Sequence, residues 1–97
     1  MYYFYVLYSL KDNRLYKGFS EDLGKRLIRH NAGGTASTKH RRPLVLIYAE
    51  SYPDKASATA RERWSKSLEG GAVLKSLLQD KGILDESGRL HSGSSAA

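Results

Sequence analysis

The sequence predicts an α+β fold, a small three-stranded, mainly antiparallel sheet flanked by helices in the order β-β-α-β-α-α. Three observations lead to it. Residues 2–8, Tyr-Tyr-Phe-Tyr-Val-Leu-Tyr, form an unbroken aromatic and aliphatic run that suits a strand buried on both faces. A polar tetrad, Lys11-Asp12-Asn13-Arg14, separates this run from a second strand-like stretch, as in a hairpin. A third strand-like stretch, from Pro43 to Tyr52, is set off on both sides by segments with helical spacing.

Taken in order, the first run is the central strand, and Leu15 to Phe19 returns beside it. Gly18 stands in that second strand where a missing Cβ permits a close approach or a special backbone angle. Ser20 has the chemistry of a helix N-cap, with Glu21 and Asp22 in the first turn, where carboxylates favour the helix dipole. The helix runs from about Glu21 to His30. Leu23, Leu27 and Ile28 give it an apolar stripe, and Arg26 and His30 a second row four residues apart. Asn31 and Gly33-Gly34 end it.

A loop from Ala32 to Arg42 begins small and flexible and ends basic, and Pro43 then opens the third strand at an edge position. Asp54 caps a second helix reaching about Leu68, with Ala60, Trp64 and Leu68 as its buried stripe. Gly70-Gly71 breaks the chain, and Ala72 to Lys81 forms a short third helix whose apolar face is Val73, Leu74, Leu77 and Leu78. The domain is expected to span residues 1–82, with residues 83–97 a disordered polar tail.

The totals narrow the function. With 97 residues there is room for one modest core. No run approaches the length of a membrane span, and the apolar start lacks the basic region and cleavage site of a signal peptide, so a cytoplasmic protein with no membrane partner is expected. The absence of cysteine excludes disulfides, thiolate metal sites and cysteine nucleophiles. His30, His40 and His91 show no paired metal-ligand spacing, so any metal must be a hard one held through oxygen. A formal net charge of +6 points to a polyanionic partner, nucleic acid before membrane.

Hydrolysis of a phosphodiester needs a positioned water, a proton acceptor, positive charge for the transition state and usually a divalent cation. Two common nuclease patterns are missing. No Glu-x-Lys or Asp-x-Lys follows Pro53-Asp54 on a strand, and Glu50, Asp54 and Glu62 stand on elements of different type. Taken singly, Tyr5 and Tyr16 read as core aromatics, Arg26 and His30 as a solvated basic face, and Glu62 with Lys66 as a surface ion pair.

Their joint order reads differently. Tyr-Val-Leu, then Leu-Tyr-Lys-Gly, then Leu-Gly-Lys-Arg-Leu-Ile-Arg-His-Asn, then Pro-Leu-Val-Leu-Ile-Tyr, then Ala-Thr-Ala-Arg-Glu-Arg-Trp-Ser-Lys resembles the GIY-YIG nuclease domain family over roughly Tyr2 to Leu78. Small single-domain bacterial members, related to the N-terminal domain of the bacterial excision-repair nuclease, are the most similar. The resemblance places Tyr5 on the tyrosine of the first motif, and Tyr16 and Gly18 on the tyrosine and last glycine of the second. Arg26 and His30 match the Arg-x-x-x-His of the first helix, and Glu62 the metal-binding glutamate of the second. Tyr3, Phe4 and Lys17 depart from the family pattern. Alternation along the strand puts Lys17 on the face opposite Tyr16, which argues against a direct catalytic part for it.

The resemblance implies a metal-dependent endonuclease acting on DNA, with RNA as the other possible substrate, in DNA repair or processing. Tyr5 would be the general base, helped by Arg26 and the metal. Glu62 would hold one Mg²⁺ or Mn²⁺ that arrives with the nucleic acid. Arg26 would contact the phosphate, His30 would orient water or phosphate, and Tyr16 would hydrogen-bond in the same site. Lys17, Lys25, Arg29, Lys39, Arg41, Arg42 and Lys66 are the candidate nucleic-acid contacts. Self-association or a partner protein is the expected source of further DNA contacts. A nucleic-acid-binding module without turnover and a protein-interaction domain are the competing readings.

Overall fold

The computed structural model describes residues 1–91. It contains strands β1 (Tyr2–Ser9), β2 (Leu15–Ser20) and β3 (Leu44–Tyr52) and helices α1 (Leu23–Asn31), α2 (Lys55–Ser65) and α3 (Leu68–Asp80), with one 3₁₀ turn at Lys39–Arg41. The sheet order is β2-β1-β3 and both pairings are antiparallel. The element order and the central place of β1 are those expected from the sequence. The continuous apolar run becomes the middle strand because it alone has both faces to bury.

The hairpin turn is fixed by side chains. Asn13 takes a left-handed backbone angle, φ 59°, which asparagine tolerates, and its Oδ1 accepts from the Tyr8 hydroxyl at 2.8 Å. The register then sets Tyr5 opposite Gly18 and Leu7 opposite Tyr16. Because side chains alternate along each strand, Tyr5, Leu7 and Tyr16 share one face and Phe4, Val6, Tyr8 and Lys17 the other. The first face packs with Leu44, Leu46, Leu23 and Leu27 of α1, and the second with Leu74, Leu78 and Leu84. A bulge between Val6 and Leu7 shifts the register against β3.

Several boundaries differ from the expectation. Asp22, not Ser20, caps α1: its Oδ1 accepts from Lys25 N at 3.0 Å, while Ser20 Oγ accepts from Asp22 N at 3.1 Å and braces the approach. Ile28 does not widen the buried stripe but stands 71% exposed. In α2 the buried positions are Ala58 and Ser65, while Ala60 is exposed and Leu68 is 95% exposed. Val73 is likewise exposed rather than part of the apolar face of α3.

The chain breaks before the glycines, not at them. Ser67 caps α3 by accepting from Gly70 N at 3.0 Å, so Gly70 and Gly71 lie inside the helix. A Cβ at Gly70 would stand 1.9 Å from the carbonyl oxygen of Trp64. The glycine is there because two helices meet backbone to backbone, a need that propensity alone does not reveal. Asp54 caps α2 as expected, accepting from Ser57 N at 2.7 Å.

The expected tail also needs correction at its start. Leu84 is buried in the core and bridges to Leu90, and Ile83 and Leu90 pack on the same cluster. Asp85 holds the intervening turn by accepting from Ser87 N and Arg89 N at 2.9 and 3.0 Å. Three spaced apolar residues are enough to fold this segment back on α3, in spite of its polar composition. The rest of the expected tail, from residue 92 on, lies outside the described residues.

Candidate active site

The site is built on the face of the hairpin covered by α1. Tyr5 projects from β1 across β2, and its ring passes over Gly18 so closely that a Cβ there would lie 2.6 Å from the Tyr5 hydroxyl oxygen. Gly18 is therefore needed for the close approach of a side chain. Its neighbour Tyr16 stands 6.4 Å from Tyr5, centroid to centroid, and 5.0 Å from the His30 ring in an edge contact.

His30 ends the stripe of α1 and is fully buried. Its Nε2 lies 3.0 Å from the Tyr5 hydroxyl and its Nδ1 lies 2.7 Å from Thr38 Oγ1. Both ring nitrogens are thus engaged inside the protein, so His30 does not orient water or phosphate directly as expected. It holds Tyr5 instead. Burial, followed by the charges of Arg26 and Arg29, holds its pKa below the ordinary imidazole value, so it is neutral at physiological pH.

Tyr5 is 2% exposed, and burial raises its pKa above the ordinary phenol value; Tyr16 and Glu62 add to the rise and Arg26 opposes it. Of the two charged groups, Arg26 belongs to α1 and Glu62 to α2. Tyr5, Tyr16 and His30 are brought into ring contact, and Arg26 and Glu62 both act electrostatically on the Tyr5 hydroxyl.

Glu62 lies on the sheet-facing side of α2, between buried Ala58 and Ser65, with its carboxylate 3.3 Å from Lys66 Nζ. Among the described residues no group of three or more His, Cys, Asp or Glu side chains converges. One carboxylate is the donor set on offer. That set fits a hard cation which keeps most of its water or shares phosphate oxygens, and Mg²⁺ is such a cation.

The cations are unevenly placed. Lys25, Arg26 and Arg29 line a concavity of about 280 Å³ with Ser20, Glu21 and Asp22, directly beside the site. Lys39 and Arg42 line a second concavity with Lys11, Asn31, His40 and Pro43. Four of the expected contacts are engaged internally, Arg42 among them, whose Nε donates to Lys39 O at 2.8 Å. Arg41 pairs with Asp12 at 2.7 Å and donates to Leu15 O at 3.2 Å, tying the 3₁₀ turn to the hairpin. Lys17, on the opposite face as its register requires, donates to Ser65 O at 3.1 Å, and burial with the nearby Lys66 lowers its pKa. Lys66 is paired with Glu62.

Two features have no signal in the sequence. Thr38 is fully buried although its run of small polar residues reads as a surface loop. Glu50 accepts from Tyr48, Tyr52 and both ends of the Arg61 guanidinium at 2.5, 2.6, 2.9 and 3.1 Å, and Arg61 stacks 4.0 Å over Trp64. Burial opposes ionisation of Glu50, but these donors hold its pKa below the usual value. The cluster fastens α2 to β3 one residue before Glu62.

Comparison with known proteins gives the family. The family model described as the GIY-YIG catalytic domain matches residues 1–71. The chain belongs to the GIY-YIG family. Among curated relatives it is 47% identical over 79 residues to a UPF0213 protein of Lactiplantibacillus plantarum, covering 78% of this chain and 77% of that one. It is 46% identical over 68 residues to the UPF0213 protein YazA of Bacillus subtilis, covering 69% and 68% of the two chains. A UPF0213 protein of Bacillus halodurans solved by NMR aligns with a TM-score of 0.49 at 32% identity, over 79% of this chain and 85% of that one. The GIY-YIG domain is a nuclease domain, so the chain has an endonuclease-like fold, and its relatives are small bacterial proteins.

Proposed function

We propose that this GIY-YIG protein is a divalent-metal-dependent endonuclease that hydrolyses DNA phosphodiester bonds, in DNA repair or processing in the cytoplasm. The observation that carries the reading is the Tyr5 hydroxyl, held over Gly18, 3.0 Å from His30 Nε2 and subject to the charges of Arg26 and Glu62.

The phenol stays protonated at neutral pH, because burial raises its pKa. It can take a proton from an attacking water only while passing its own to His30 Nε2, 3.0 Å away. In that step the water oxygen forms a bond to phosphorus, the bond from phosphorus to the leaving sugar oxygen breaks, the leaving oxygen takes a proton from solvent, and the proton of the attacking water ends on the Tyr5–His30 pair. The approaching phosphate favours the resulting imidazolium, and Arg26 offsets the charge that develops on the phosphoryl oxygens. Glu62 is the residue that would hold Mg²⁺ or Mn²⁺, which when bound supplies positive charge to phosphate and leaving oxygen. Lys25 and Arg29, beside Arg26, would carry the flanking backbone.

Incubation with plasmid DNA and Mg²⁺ or Mn²⁺ tests this, with Glu62→Ala and Arg26→Ala in parallel. Cleavage by the wild type and its loss in both variants is expected, while equal cleavage by all three would overturn the site. A second reading draws on the burial of Tyr5, which is 2% exposed. If no DNA is cut but salt-sensitive binding persists, the chain is a binding module with the nuclease fold.

A further inference from the structure

We propose that Thr38 is a positioning residue of this site, the group that decides which nitrogen of His30 carries the proton. The inference rests on the Tyr5–His30 step above and extends the pair to a chain of three, Tyr5–His30–Thr38. His30 and Thr38 are both fully buried, so water is not at hand to substitute for a missing partner at Nδ1.

The tautomer follows from the proton step proposed for Tyr5, because the Tyr5 and Thr38 hydroxyls can each donate or accept. A neutral imidazole has one N–H and one bare nitrogen. The Tyr5 hydroxyl must donate to Nε2 for its proton to be available to the histidine, which leaves Nε2 bare and puts the hydrogen on Nδ1. That N–H then donates to Thr38 Oγ1, at 2.7 Å the shorter of the two contacts. With the opposite tautomer, Nε2–H would donate to the Tyr5 oxygen, and the histidine could accept nothing from the phenol.

Thr38 is held for this task by its backbone. Its N–H donates to Thr35 O at 3.1 Å and its carbonyl accepts from Arg41 N at 2.9 Å, while Arg41 is fastened to Asp12 and Leu15 of the hairpin. The 3₁₀ turn thus links the histidine to the same hairpin that carries Tyr5. Burial of a threonine in a small polar loop is explained by this contact, since the hydroxyl needs a partner once it leaves water.

The test is the tautomer of His30, read from its imidazole ¹⁵N chemical shifts in the whole protein, with cleavage measured beside it. Wild type and Thr38→Ser should show the Nδ1–H form. Thr38→Val, which keeps shape but loses the acceptor, should show a mixture or the Nε2–H form, and its cleavage rate should fall at least about tenfold while Thr38→Ser restores it. An Nε2–H form in the wild type, an unchanged tautomer in Thr38→Val, or a Thr38→Ser variant that behaves like Thr38→Val would each overturn the proposal. The wild-type spectrum decides even if Thr38→Val does not fold. Absence of cleavage by the wild type would overturn the nuclease reading, while the tautomer still judges Thr38.

Discussion

At the scale of single residues, the site is organised by a buried neutral histidine, and this has a consequence for stability. His30 faces Arg26 and Arg29 from its own helix, Tyr5 from β1 and Tyr16 from β2, and its folded pKa is lowered, first by burial and then by the two arginines. The unfolded chain then binds more protons than the folded one in the window below the ordinary value of about 6.5, so stability falls as pH falls through that window. The melting temperature of the wild type should drop between about pH 7 and pH 5, before the carboxylates titrate, and His30→Asn should be flatter there. A wild-type melting temperature that is level across the window would contradict the buried neutral histidine. Sequence alone points to Tyr5, Tyr16, Arg26, His30 and Glu62, because each occupies its place in a family motif. It does not show that His30 is turned inward, since an i,i+4 row beside an apolar stripe can lie on either side of the burial line. Nor can it mark Thr38, whose neighbours Ala36, Ser37 and Lys39 are exposed.

At the scale of elements, the hairpin and the third strand are legible because their apolar runs are separated by strong turn chemistry. The helix ends are less so. Asp22 takes the cap from Ser20 because an aspartate two residues on can reach Lys25 N, while Ser20 is absorbed into the last position of β2. The Gly70-Gly71 pair reads as a break by composition but serves as a contact surface, with Gly70 against the Trp64 carbonyl. Replacing it tests this directly. Gly70→Ala would raise propensity in an ordinary helix, yet here it should destabilise by about 1 to 3 kcal/mol through overpacking, measured by denaturant unfolding. A stabilised variant would show that α2 and α3 are not in backbone contact. The Glu50 cluster matters at this scale too, because Arg61 precedes Glu62 and fixes the turn of α2 that presents it. Nothing in the sequence pairs Arg61 with Glu50, eleven residues away on another element.

At the scale of the whole molecule, the net charge of +6 suggests a polyanionic partner, and the structure refines which cations are available. Arg41, Lys17 and Lys66 are engaged internally, whereas Lys25 and Arg29 line the concavity next to Arg26. DNA binding should therefore weaken with salt. The double variant Lys25→Ala, Arg29→Ala should reduce the slope of log K against log salt by about 2, while Arg41→Ala should act chiefly on stability. An unchanged slope would place the DNA elsewhere on the surface. Among the described residues no helix is long and apolar enough to cross a membrane, and the core is completed by Leu84 from a segment whose composition reads as tail. Polar composition misleads there because it averages over three apolar residues whose spacing, not number, lets them fold back on α3.

The central claim is that the Tyr5 hydroxyl handles the proton of the attacking water. Tyr5→Phe removes that hydroxyl and keeps the ring between Gly18 and His30, so the packing of the face is preserved. In single-turnover cleavage of DNA with Mg²⁺ or Mn²⁺, under conditions where the wild type cuts, the variant should be slower by at least about 100-fold with DNA affinity little changed. A Tyr5→Phe protein that cleaves at the wild-type rate would contradict the account.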